Sequence, residues 1–193
     1  MKKTLGTILA IMLVLAFGVS CAFAQAEQDC VRFVGASAAP LSEKDATLSL
    51  EGYGAKGALE DKDLTIYDML VYAVQDEYLA YGEYNAIMDS FGNQRPYSNI
   101  VQAEEMHLSL LKELFAAYGF EFPNDDSAEH IVVPATLLEA AQAGVQAETD
   151  NIAMYNLFMT HELPDHIAQV FAKLESGSQS HLLAFQKQVN KLS

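Results

Sequence analysis

Glu104 and His107 stand three residues apart in a stretch, Val101 to Leu108, that reads as helix. Three helical steps set two side chains about 60° apart on one face, a turn from each other. Extended by threes and fours, that face runs Ile100, Glu104, His107, Leu111, Leu114 and Tyr118. Its other members are apolar or aromatic, so the acid and the imidazole lie on a seam that has to be buried. An unpartnered buried carboxylate costs on the order of several kcal/mol. A chain that commits Glu and His to such a seam needs something there to bind them, and a metal ion is the simplest answer.

Three more stretches carry the same period. The first begins near Thr65, where Asp68 completes a capping-box pattern, and its seam is Ile66, Leu70, Ala73, Glu77, Ala80, Tyr84 and Ile87. Glu77 is the only charge on it. Gly92 and Pro96 separate it from the second helix, which runs from about Ser98 to Tyr118 and closes at Gly119. The third starts around Pro134, or at Thr136 with Glu139 as its capping partner, and its seam is Leu137, Ala141, Gly144, Glu148, Asn151, Tyr155 and Phe158. Pro164 opens the fourth, with seam Ile167, Phe171, Leu174, Ser178, His181 and Phe185. Between the second and third helices lies a connection of about fifteen residues. Extended, it reaches further than a twenty-residue helix is long, so it can start the third helix parallel to the second.

The two halves echo each other. Glu77 is followed by Tyr84-Asn85 and Met88; Glu148 is followed at the same spacings by Tyr155-Asn156 and Met159. The next helix of each pair carries His-Leu, at His107 and His181. The pattern describes two helix hairpins about a pseudo-twofold axis, each giving one Glu and one His to a shared interior. Tyr84 and Tyr155 read as core residues whose hydroxyls find partners. Met88 and Met159 read as packing, Asn151 as a buried polar residue, and His130, His161 and His166 as surface residues near connections.

The chain opens Met1-Lys2-Lys3, continues apolar from Leu5 to Phe17, and reaches Ala22-Phe23-Ala24. This is the pattern of a secretory signal peptide, with cleavage expected after Ala24 and export as the expected address. Lipidation at Cys21 is the alternative, though Gly18-Val19-Ser20 lacks the usual leucine. Residues 25–62, with Gly52, Gly54 and Gly57, read as a flexible tether with a short strand at Ala46 to Leu50. Residues 63–193 form the helical domain. Loss of the leader leaves Cys30 as a lone cysteine, so no internal disulfide is expected. The formal charge of -15 argues against nucleic acid and anionic membrane partners.

The pattern resembles the ferritin-like superfamily, and within it the rubrerythrin-type carboxylate-bridged di-iron bundles. It is more closely similar to a ferritin-like family known as domain of unknown function 2202. The matching stretches are Asp76-Glu77-Tyr78-Leu79-Ala80 through Tyr84, Tyr97-Ser98-Asn99-Ile100 with Ala103-Glu104 and His107, and Tyr118-Gly119 with Pro123. They continue with Gly144 to Glu148, Asn151-Ile152, and Gly177-Ser178-Gln179-Ser180-His181-Leu182 with Ala184-Phe185. The resemblance implies an all-α, ferritin-like four-helix bundle of two hairpins joined by a long crossover. It implies Glu77, Glu104, His107, Glu148 and His181 as metal ligands, with two iron ions, or manganese or zinc, as the cofactor.

The sequence departs from that family at Ser178, where a second E-x-x-H glutamate should stand. Glu175 lies too far from His181 to replace it, and Glu105, about 100° from Glu104, points outward. Three carboxylates leave two divalent ions one unit positive, because imidazole binds neutral. An open, reactive position, a single firm metal, or a metal-free polar network would each answer that deficit. The expected function is a di-iron or mixed-metal oxidoreductase acting on peroxide, oxygen or ferrous iron. The alternatives are a non-catalytic metal-binding or storage protein and a structural bundle of the cell envelope. The expected partners are metal ions, an external electron donor if the protein turns over, and a second copy of the chain as a homodimer.

Overall fold

Four amphipathic stretches become four long helices, two of them opening at a capping box and two directly behind a proline. The computed structural model describes residues 38–193. In it α1 spans Gly54–Glu60, α2 Ile66–Phe91, α3 Tyr97–Tyr118, α4 Leu137–Phe158 and α5 Asp165–Leu192. There is no strand among the described residues. Thr65 and Asp68 form a full capping box at α2, and Thr136 and Glu139 form another at α4. Gly119 ends α3 in the left-handed conformation, φ 72°, which satisfies the last carbonyls of that helix. Pro164 sits at the N-cap of α5, one position before the first helical residue.

Side-chain pairings give the helix directions. Tyr84 meets Glu148 while Glu77 meets Tyr155, so α2 and α4 are antiparallel. Tyr97 meets Phe185 while Tyr118 meets His166, so α3 and α5 are antiparallel. Short connections make α2–α3 and α4–α5 hairpins, and α3 and α4 therefore run the same way. The crossover that permits this lies along α2. Phe122 packs on Tyr78, and Ile131 and Ser127 sit over Gly82.

Two apolar layers fill the bundle. One gathers Leu70, Leu111, Phe115, Tyr155, Phe158, Phe171 and their neighbours. The other gathers Tyr84, Ile87, Tyr97, Ile100 and Phe185. Each large side chain so buried stabilises the fold by about 1.5–3 kcal/mol. The polar seam residues at positions 77, 104, 107, 148 and 181 fall between these layers in every helix.

The tether expected over residues 25–62 is corrected where the structure describes it. Residues 38–62 pack onto α2, and no strand forms at Ala46–Leu50. Leu41 and Leu50 lean on the core, Ser49 N–H donates to Asp68, Glu51 N–H to the Tyr72 hydroxyl, and Ala55 N–H to Asp76. The glycines that resemble linker residues serve close packing. A Cβ on Gly57 would stand 2.5 Å from the backbone of Gly52. The leader at 1–24, Cys21 and Cys30 lie outside the described residues. No helix among the described residues is long and apolar enough to cross a membrane.

Candidate metal centre

The three-residue step on α3 aims Glu104 and His107 at the same point, and the other three helices bring their seam polars to it. Glu77, Glu104, His107, Glu148 and His181 are all buried. Nδ1 of His107 lies 2.8 Å from Glu104 Oε2 and 2.9 Å from Glu77 Oε2. Nδ1 of His181 lies 3.1 Å from Glu104 Oε1 and 3.6 Å from Glu148 Oε1. Glu104 thus offers one oxygen to each histidine. Two triads result, Glu77/Glu104/His107 and Glu104/Glu148/His181, and within each the ligand atoms lie within 4.8 Å of one another. The two imidazoles stand 5.7 Å apart between centroids.

The tyrosines cross between hairpins. Tyr84 of the first donates to Glu148 Oε1 of the second at 2.7 Å, and Tyr155 of the second donates to Glu77 Oε1 of the first at 2.8 Å. Each outer glutamate therefore has one oxygen tied to a hydroxyl and faces its histidine. Burial and the neighbouring carboxylates hold both phenols well above their ordinary pKa, so they remain proton donors.

Burial raises the Glu77 carboxyl to about 7, although His107 beside it works the other way. Burial also opposes a charge on His107, but Glu77 and Glu104 outweigh it and push the imidazole up to about 10. Against the same penalty, Glu104 and Glu148 push His181 up to about 9. Glu104 is also penalised by burial, yet the two histidines close to its oxygens bring it below its ordinary value. Without metal, the surrounding carboxylates favour the charged form of both histidines.

Ser178 donates its hydroxyl to Asn151 Oδ1 at 2.6 Å, and Asn151 donates to Asp76 Oδ2 at 2.7 Å. Asp76 Oδ1 accepts from Ala55 N–H at 2.8 Å. A space of about 10 Å³, enough for one water, lies among Glu104, Glu148, Asn151, Ser178 and Asp76. Burial is the chief reason that the Asp76 carboxyl rises to about 7. The periodicity marks Asn151, but it passes over Asp76, which stands one position off the α2 seam. Apart from its place in the family-like stretch that starts at Asp76, its adjacency to Glu77 is the signal the sequence offers. Gly177 is a second residue the seams miss; it leaves room for the His107 ring.

The remaining candidates lie elsewhere. Glu105 is exposed and accepts from Tyr81, and Glu175 accepts from Gln179 on its own helix. His130 stacks on Tyr53, His166 bonds Tyr118, and His161 is exposed. Met88 packs on the second apolar layer, whereas Met159 is largely exposed.

No protein-family model matches the chain, and no curated protein matches it. Among solved structures, it is similar to the crystal structure of hypothetical protein MJ0754 from Methanococcus jannaschii, with a TM-score of 0.59 and 19% identity. The similarity covers 76% of this chain and 87% of that one. It speaks to an all-helical fold.

Proposed function

We propose that the buried cluster is a carboxylate-bridged di-metal centre in a ferritin-like bundle, and that the protein is an exported oxidoreductase acting on peroxide, oxygen or ferrous iron. One observation carries this reading: the two oxygens of Glu104 reach two different histidines, and each histidine has a glutamate of its own. The helix directions and the full-length crossover support the ferritin-like arrangement.

The donor set fits. Nδ1 of His181 is buried, and its approach to Glu104 lacks hydrogen-bond alignment, so no hydrogen bond satisfies it. Carboxylate with imidazole suits iron or manganese and also accepts zinc. Three carboxylates leave two divalent ions one unit positive, and Asp76, two hydrogen bonds from the centre, places a fourth acid close by.

Glu77 and His107 would hold one ion, Glu148 and His181 the other, with Glu104 spanning both. A redox-active pair bound there supplies electron transfer with a small oxidant. Tyr84 and Tyr155 fix the rotamers of Glu148 and Glu77. The apolar layers exclude bulk water, while the space beside Ser178 admits one small ligand. The described residues hold no electron-transfer module, so the reductant is external.

A second reading has its own observation. The two histidines, charged without metal, pair with three acids into a buried ionic network that can fix helix register by itself. Elemental analysis of the purified protein, beside Glu104→Ala/His107→Ala, separates the readings. About two iron or manganese ions per chain, lost in the double variant, support the di-metal centre. Failure of the wild type to hold any metal, even after reconstitution with Fe(II), leaves the ionic network. Bound metal without peroxide- or oxygen-dependent oxidation leaves binding or storage.

A further inference from the structure

Between α1, α2 and α4 the domain carries a surface groove of about 300 Å³ whose walls include Lys56, Asp76, Glu83, His130, Ala147 and Asp150. Asp76 and Ala147 also line the one-water space beside Glu104, Glu148 and Ser178. Both residues are only half-buried. The groove and the inner space are therefore two sides of one thin partition, made of a carboxylate and a methyl group. Along the bundle axis the centre is covered by the two apolar layers. The groove approaches from the side.

We infer that this groove is the inlet by which a divalent cation reaches the buried cluster, passing between the Asp76 carboxylate and the Ala147 methyl. The inference rests on the metal-centre reading. Glu83 and Asp150 outnumber Lys56 in the groove, and Asp76 adds a carboxyl at its inner end, so the groove draws cations inward. Both oxygens of Asp76 are held, one by Ala55 N–H and one by Asn151, which fixes the carboxylate at the neck with lone pairs to spare. Past the neck stand Glu104 and Glu148, with the unsatisfied Nδ1 of His181 beside them. His181 is 7% exposed, and beside the Glu104 and Glu148 carboxylates its Nδ1 makes no aligned hydrogen bond.

The test is stopped-flow uptake of Co(II) by chelator-stripped protein, followed by the ligand-field absorption of the bound ion. Ala147→Leu fills the neck; uptake should slow about tenfold or more while the final cobalt per chain is unchanged. Uptake at the wild-type rate overturns the inlet. Should Ala147→Leu fail to reach the wild-type cobalt content, Glu83→Gln/Asp150→Asn decides. Slower uptake with a flatter salt dependence then supports the inlet, and an unchanged rate and salt dependence overturn it. A wild type that takes up no cobalt removes the metal-centre reading, and the inlet with it. Normal cobalt content at an unchanged rate removes the inlet alone.

Discussion

Gly177 of α5 leaves the space that the imidazole of His107 on α3 occupies: a Cβ at Gly177 would stand 2.6 Å from Nε2. The ring cannot easily give way, because Nδ1 is held by Glu77 and Glu104. Gly177→Ala should therefore push His107 off its two carboxylates. Overpacking costs about 1–3 kcal/mol, and the better helix propensity of alanine returns about 1 kcal/mol of it. Denaturant unfolding should show a small net loss of stability. Metal content should fall further than stability does; full metal content in a folded variant would mean that the position of His107 does not matter.

Tyr155→Phe and Tyr84→Phe each remove the hydroxyl that ties down an outer glutamate. Each should cost about 1–3 kcal/mol in the metal-free protein, because a buried carboxylate oxygen loses its donor. Metal affinity should fall roughly ten- to hundredfold as the glutamate loses its orientation. The effects should separate by hairpin, Tyr155→Phe acting on the Glu77/His107 half and Tyr84→Phe on the Glu148/His181 half. Competition titrations that find both variants with wild-type affinity would remove the orienting role.

The metal-free protein should lose stability as pH rises. Glu77 and Asp76 are raised to about 7, His181 to about 9 and His107 to about 10, each above its ordinary value. Between those ordinary values and the raised ones, the folded state binds more protons than the unfolded chain. The stability these groups contribute is complete below their ordinary pKa and disappears as pH passes the raised ones. Urea midpoints of stripped protein should therefore fall from pH 5 to pH 9. Metal must displace the two imidazole protons and the fraction of a proton on Glu77, so its affinity should climb over the same range, with about two to three protons released per loaded centre near neutral pH. Pairing urea midpoints with proton-release measurements checks both signs.

Asp76→Ala should loosen α1 before it unfolds the bundle. The carboxylate accepts from Ala55 N–H and from Asn151, so its loss orphans a donor at the start of α1 and another beside Ser178. Relief of repulsion from Glu77 and Glu148 offsets part of the cost. Amide exchange across residues 54–60 should accelerate while α2 to α5 keep their protection. Unchanged exchange in α1 would mean that Gln75, which accepts from Gly54 N–H, docks the segment alone.

The sequence by itself determined the four long helices and the residues at the centre. Apolar period, capping boxes at Thr65 and Thr136, and stops at Gly92, Gly119 and Pro164 are local properties, written within one helix length. A Glu or His on an apolar seam is visible without coordinates, because burial forces it to have a partner. Only the tertiary structure decided which partner. That Glu104 divides its oxygens between His107 and His181, and that Tyr84 and Tyr155 reach across to the opposite hairpin, depends on packing between segments 64 to 78 residues apart. Periodicity gives the buried face of each helix and leaves open which turn of one meets which turn of the next. The same limit hid Asp76, which lies off its seam and is drawn into the network by Asn151 and Ala55. It hid residues 38–62 as well, where seven helical residues and closely packed glycines give no periodic signal, and order comes from hydrogen bonds to α2.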